Sequence, residues 1–239
     1  MAIRAVLWDI DDTLFDYGTA DRIGMRNHLD HEGLPDGCTS VEQALGLWEE
    51  LTERHWARFA AGACDFQGQR RDRVRDFLRA ALSDEEADAW FGRHVVHYEA
   101  AWSLFPDAVP ALDALAGEYR HAVLSNSAFV HQDRKLRTLG VRDRFEVLLC
   151  AAELGVSKPE AAAFHAACAS LGLPPEEVAY VGNEPDIDAR GAADAGLFGI
   201  WLDRRGSGGR PDLTRIAELS ELPAVLRGDT RFGAVPRVG

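Results

Sequence analysis

Apolar positions along this chain follow two rhythms. At the amino terminus a short run, Val6-Leu7-Trp8, is bounded by polar residues and stops at Asp9, which predicts a buried strand over residues 3–8. From about residue 16 to 103 the spacing becomes helical. Ser40-Val-Glu-Gln43 reads as a capping box opening a helix, with Val41, Ala44, Leu45, Trp48, Leu51, His55 and Phe59 on one stripe. Ser83-Asp-Glu-Glu86 repeats that signal ahead of Ala87, Trp90, Phe91, His94, Val95, Tyr98 and Trp102. Val74, Phe77, Leu78 and Ala81 give a third stripe between them. Together these stripes predict a small helical bundle with Trp48, Trp56, Trp90 and His94 packed in its core.

From residue 104 the pattern alternates. Segments 121–126, 145–150, 178–183 and 197–202 are short apolar runs that read as buried strands. Helical stretches such as Ala108 to Leu115 and Glu160 to Leu171 separate them. Strand alternating with helix predicts an α/β domain built on a doubly wound parallel sheet. The strand at 3–8 must join it, having no other partner. The expected organisation is an α/β core of residues 1–15 and 104–228, interrupted by a helical insertion of residues 16–103. Residues 229–239 show no periodicity and are expected to fray. The stretch 204–211, RRGSGGRP, is glycine-rich but lacks the Gly-Lys-Ser/Thr ending of a phosphate loop, and reads as a solvated loop.

Composition narrows the function classes. A formal net charge of −13 argues against a broad nucleic-acid surface or an anionic-membrane surface. No apolar run approaches transmembrane length, and the run at the start is too short for a signal peptide. Cys38, Cys64, Cys150 and Cys168 are widely spaced with no CxxC pair, which suits reduced thiols in a cytoplasmic protein. Of the 26 basic residues only Lys135 and Lys158 are lysines, so each lysine departs from the chain's habit.

Candidate chemistry gathers at strand ends. Asp9 and Asp11 lie two residues apart where the first strand ends, so their side chains point to one face. Open α/β sheets bind ligands at that carboxyl edge. Ser125, followed by Asn126, closes the next strand. Lys158 precedes Pro159, and Asn183, Glu184, Asp186 and Asp188 follow the strand ending at Gly182. Each has a structural alternative: an Asx turn for the aspartates, a helix cap for Ser125, a surface charge for Lys158, a helix N-terminus for the acidic group.

Taken together, Asp9-x-Asp11-x-Thr13, Ser125, Lys158-Pro159 and Gly182-Asn183 through Asp188, followed by Gly191-Ala192 and Ala195-Gly196, resemble the four motifs of the haloacid dehalogenase superfamily. The resemblance runs from residue 3 to about 226, and the helical insertion resembles the cap of the family's first subgroup. It implies a Rossmann-like core and a Mg²⁺-dependent phosphatase acting on a small phosphorylated metabolite through an aspartyl-phosphate. In that scheme Asp9 is the nucleophile and Asp11 the acid and base. Ser125, Asn126 and Lys158 bind phosphate, and Asp9, Asp11, Asn183 and Asp188 supply the metal set. Neither a nucleic-acid polymer nor a membrane is an expected partner. Residues 59–71 loosely resemble caps of nucleotide and sugar phosphatases, with Arg70 and Arg71 as candidate substrate contacts. Asn183 departs from the family's usual Asp. The alternatives on the same core are a 2-haloacid dehalogenase, which does not need Asp11 as an acid, a phosphomutase, or a silent binding protein.

Overall fold

In the computed structural model, which describes residues 2–228, the chain divides into two compact units. One contains the residues up to Asp16 together with those from Ser103 onward, and the other is Tyr17–Trp102. The unpatterned tail at 229–239 lies outside the described residues.

The second unit is helical: α1 (Tyr17–Glu32), α2 (Val41–Ala60), α3 (Phe66–Leu78) and α4 (Asp84–Ala100). Ser83 and Glu86 form the complete reciprocal cap that their spacing predicts. The Ser40 hydroxyl accepts from the Gln43 N–H, but the Gln43 amide oxygen turns to the Thr39 N–H, so that box is half formed. Trp48, Phe77, Trp90 and Phe91 meet in the core with Leu45, Leu51 and Val74. Trp56, expected among them, is 41 % exposed. Eight residues past Trp48 it has rotated about 80° around the helix, and it packs instead against Phe59 and Phe66. Gly24 is required where α1 meets α4, because a Cβ there would lie 2.5 Å from the Tyr98 Cα. Arg71 pairs with Asp84 and Asp88, while Arg70 lies over the Phe66 ring.

The first unit holds the sheet. β1 (Ala5–Trp8), β2 (Arg120–Ser125), β3 (Val147–Cys150), β4 (Val178–Gly182), β5 (Phe198–Leu202) and β6 (Thr214–Ile216) are all parallel, in the order β3-β2-β1-β4-β5-β6. This is the doubly wound α/β sheet that the alternation predicts. β6 carries no signal of its own: three residues with one buried are too few to show a period. Between the strands run α5 (Ala108–Leu115), α6 (Phe129–Thr138), α7 (Ala151–Leu154), α8 (Ala161–Leu171) and α9 (Gly191–Asp194), and α10 (Leu222–Leu226) follows β6. On one face α8 sets Phe164, Ala167 and Leu171 against Leu7, Leu124 and Tyr180. Each large side chain so buried contributes about 1.5–3 kcal/mol.

Connectivity positions the site. The chain runs outward from β1 through β2 to β3, then returns to β4 on the other side of β1. That reversal makes the carboxyl ends of β1 and β4 the crevice where sheets of this kind bind ligands. The glycine-rich loop after β5 folds onto Asp203, whose carboxylate accepts the Ser207 and Gly208 N–H groups and pairs with Arg215. None of the described helices is long and apolar enough to cross a membrane.

Candidate active site

Asp9 follows β1 directly, and its N–H donates to the Val181 carbonyl at 3.0 Å, which ties it to β4. The chain then turns sharply. The N–H groups of Thr13, Leu14 and Phe15 all reach the Ile10 carbonyl, at 3.2, 2.9 and 2.9 Å. Asp12 takes the left-handed conformation, φ +58°, that Asp tolerates better than most residues. The turn buries Thr13 so that its hydroxyl stands 3.2 Å from Asp9 Oδ2 and 3.3 Å from Asn183 Oδ1. Asp9 and Asn183, each just past the end of neighbouring strands β1 and β4, therefore share one hydroxyl donor. The Trp201 indole N–H fixes the Asn183 carbonyl at 3.0 Å.

Lys158 enters from the loop between β3 and α8. Its main chain is held by Asn126, whose amide oxygen accepts the Lys158 N–H at 2.8 Å and whose amide N–H donates to the Lys158 carbonyl at 2.9 Å. The side chain is buried, and its ammonium has three partners: Asp9 Oδ1 at 2.7 Å, Asp188 Oδ1 at 2.7 Å and the Tyr180 hydroxyl at 2.6 Å. Tyr180 in turn donates to the Leu124 carbonyl at 3.0 Å. The second oxygen of Asp188 accepts the Glu184 N–H at 3.0 Å. Gly182 makes the arrangement possible, since a Cβ there would fall 2.3 Å from Asp188 Oδ2. Burial works against the Lys158 charge, but the carboxylates of Asp188 and Asp9 outweigh it and raise its pKa. Burial likewise pushes the Asp9 carboxyl above the usual carboxylate range; Lys158 opposes that shift, and Asp188 and Asp11 add to it.

Asp11 has a separate set of partners, all on α6. The Gln132 amide N–H donates to Asp11 Oδ2 at 2.7 Å, and the Lys135 ammonium binds Asp11 Oδ1. The same Gln132 N–H₂ group reaches the Ser125 hydroxyl at 3.2 Å, at the end of β2. Lys135 also lies over the Phe15 ring, 4.2 Å from its centroid. Gln132 Oε1 is buried with no hydrogen-bond partner among the described residues.

A sheet edge that places a buried carboxylate beside a lysine, and a second carboxylate two residues on, invites comparison with known proteins. The sequence matches the family described as haloacid dehalogenase-like hydrolase over residues 3–196. The chain belongs to that family. It is 30 % identical over 207 residues to the glyceraldehyde 3-phosphate phosphatase of Methanopyrus kandleri, covering 84 % of each chain. It is also 30 % identical over 248 residues to the phosphoserine phosphatase of Thermus thermophilus, covering 92 % of this chain and 98 % of that one. Among solved structures, the HAD-hydrolase YfnB from Bacillus subtilis bound to magnesium has the same fold. Its TM-score is 0.79 at 19 % identity, over 95 % of this chain and 99 % of that one.

Of the residues that sequence singles out in this haloacid dehalogenase-like hydrolase, Asp9, Asn183, Lys158 and Asp188 meet in one hydrogen-bonded cluster. Asp11 and Ser125 are joined through Gln132. The Asn126 side chain is engaged on the Lys158 main chain, and Asp186 is exposed and pairs with Arg210. Three further participants are not among the candidate site residues read from the sequence. Tyr180 lies within an apolar strand and reads as core. Gln132 and Lys135 lie within an amphipathic helix, where only the rarity of lysine marks one of them.

The donor set fits a hard divalent cation in kind. The available side-chain atoms are oxygens, without His or Cys, as Mg²⁺ prefers. Among the described residues no three His, Cys, Asp or Glu side chains cluster in a metal-holding arrangement. A cation here would therefore combine the Asp9 carboxylate with the neutral Asn183 oxygen, main-chain carbonyl and water. Mg²⁺ sites commonly retain several waters in this way.

Proposed function

We propose that this protein is a Mg²⁺-dependent phosphatase of small phosphomonoesters that works through an aspartyl-phosphate, with residues 16–103 as a substrate-selecting cap. The observation that carries the reading is the pair Asp9 and Asp11, two carboxylates on one turn held by different partners for different tasks. Asp9 is the nucleophile. In its ionised form, which Lys158 favours against the effect of burial, it needs no base. Its oxygen forms a bond to phosphorus while the bond to the leaving oxygen breaks. Asp11 delivers the proton to that leaving alcohol, then takes one from the water that cleaves the aspartyl-phosphate. The Ser125 hydroxyl binds a phosphoryl oxygen. Lys158 offsets the repulsion between the Asp9 carboxylate and an anionic substrate.

The cation would be held by Asp9, Asn183 and the Asp11 main-chain carbonyl. Asp188, whose oxygens already accept from Lys158 and from the Glu184 N–H, would join through a remaining lone pair. When bound, Mg²⁺ supplies charge neutralisation at the phosphoryl group. The phosphatase names of the relatives support the reaction class, and the magnesium bound to the fold relative supports the cation. Four free cysteines fit a cytoplasmic setting.

The test is phosphate release from a panel of small phosphorylated metabolites, with Mg²⁺ and with EDTA, beside halide release from 2-chloropropionate. Phosphate release that depends on Mg²⁺ supports the reading. Halide release without phosphate release would overturn it.

A further inference from the structure

We propose that Lys135, acting with Gln132, is a positioning residue that aims the Asp11 carboxylate at the leaving-group oxygen. The inference rests on the reading of Asp11 as proton donor and adds the device that holds it. Both lysines of the chain end on an aspartate of the first turn: Lys158 on Asp9 and Lys135 on Asp11. In a chain whose other 24 basic residues are arginine, both positions keep the compact ammonium.

The geometry is that of a clamp. Gln132 and Lys135 are three residues apart on α6, so they lie on one helix face about one turn apart. Each takes a different oxygen of Asp11, Oδ2 for Gln132 and Oδ1 for Lys135, which fixes both the place and the rotation of the carboxylate plane. A single contact would leave that plane free to turn. Left to itself, Asp11 would have that freedom, because its side chain is 36 % exposed, unlike the buried Asp9. Gln132 also reaches Ser125, so the clamp is referenced to the residue that binds the phosphoryl group. Lys135 is itself steadied by the Phe15 ring and is 5 % exposed. A pair that served only folding would not need to be tied to the phosphate end of β2. Asp11 and Ser125 must keep their relative position for a proton to reach an oxygen bonded to the held phosphorus.

The experiment separates aim from general damage through the leaving group. An alkyl phosphomonoester leaves as a basic alkoxide and needs the proton, whereas p-nitrophenyl phosphate leaves as a stable phenolate and needs it little. The value of kcat/KM covers the steps up to leaving-group departure, so it isolates this half-reaction from later hydrolysis. Lys135→Met, near the size of the lysine stem, should lower kcat/KM on the alkyl substrate at least about tenfold more than on p-nitrophenyl phosphate. Gln132→Leu should show the same asymmetry, and it serves as the second variant if Lys135→Met folds poorly by thermal melting. Equal losses on both substrates, or no loss on either, in variants that melt like wild type would overturn the proposal. Wild-type protein that turns over neither ester would instead overturn the phosphatase reading.

Discussion

Lys158 uses every proton of its ammonium on protein partners at 2.6–2.7 Å, in a site where its side chain is 3 % exposed. A guanidinium is planar and larger, and cannot direct donors to Asp9, Asp188 and Tyr180 from one point. Lys158→Arg should therefore lower phosphatase kcat by at least about 10² and also strain the packing. Steady-state kinetics beside a melting curve checks this, and near-normal turnover would place the ammonium outside the reaction. Tyr180→Phe is the milder probe: it removes one partner of Lys158 and leaves the Leu124 carbonyl unsatisfied. The expected cost is about 1–3 kcal/mol of stability, read as a lower denaturation midpoint. What was legible at this scale were residues at punctuation points: Asp9, Asp11, Ser125 and Lys158 each stand at the end of an apolar run or beside a proline. Tyr180 stands inside such a run, and nothing in its neighbours distinguishes a hydroxyl with a partner from one more buried ring. Lys135 meets Asp11 across 124 positions of sequence, a contact that only the fold creates.

At the scale of elements, the helical unit carries a buried histidine whose protonation opposes folding. His28 on α1 is fully buried, edge-on to Trp90 at 4.4 Å between ring centroids, and neither ring nitrogen has a hydrogen-bond partner among the described residues. Burial lowers its pKa to about 4; His94, His97 and Arg93 add to the shift, and Glu32 opposes it. The unfolded chain, with a His pKa near 6.5, takes up this proton first as the pH falls. Stability is therefore greatest above about pH 6.5 and is lost progressively down to about pH 4. Between pH 7 and pH 5 this one group accounts for a loss of about 2 kcal/mol. Thermal unfolding at the two pH values should show a smaller loss in His28→Leu than in wild type, and equal losses would refute the assignment. The stripes of α2, α3 and α4 were readable because a helix of several turns repeats its period. β6 was not, since three residues at a sheet edge carry no period. Trp56 was misplaced because it stands off the apolar stripe of α2, about 80° around the helix from Trp48, and size alone does not bury a ring.

For the molecule as a whole, alternation of strand and helix was enough to give a doubly wound sheet, but strand order was not legible. Order depends on which edges pair, and the partners Ala5 and Val178 of β1 and β4 stand 173 positions apart in the chain. That pairing brings Asn183 to Asp9, and it leads to a prediction that needs no substrate. Two carboxylates, Asp9 and Asp188, share one ammonium in a chain of net charge −13, so the site has a negative excess that a divalent cation would offset. A cation bound only by the folded state adds stability as RT ln(1 + [Mg²⁺]/Kd), about 2.7 kcal/mol at a hundredfold excess over Kd. For a chain of this size that is a rise in Tm of roughly 5–10 °C. Sodium chloride at matched ionic strength should give much less, because it screens the net charge without binding. Asn183→Asp adds a carboxylate beside Asp9 and should produce the same rise at lower Mg²⁺. Asp9→Asn removes the charged ligand and should nearly abolish the rise. Melting curves of the three proteins across a Mg²⁺ titration would decide it: if wild type and Asn183→Asp shift no more with Mg²⁺ than with sodium, the crevice between β1 and β4 is not a cation site.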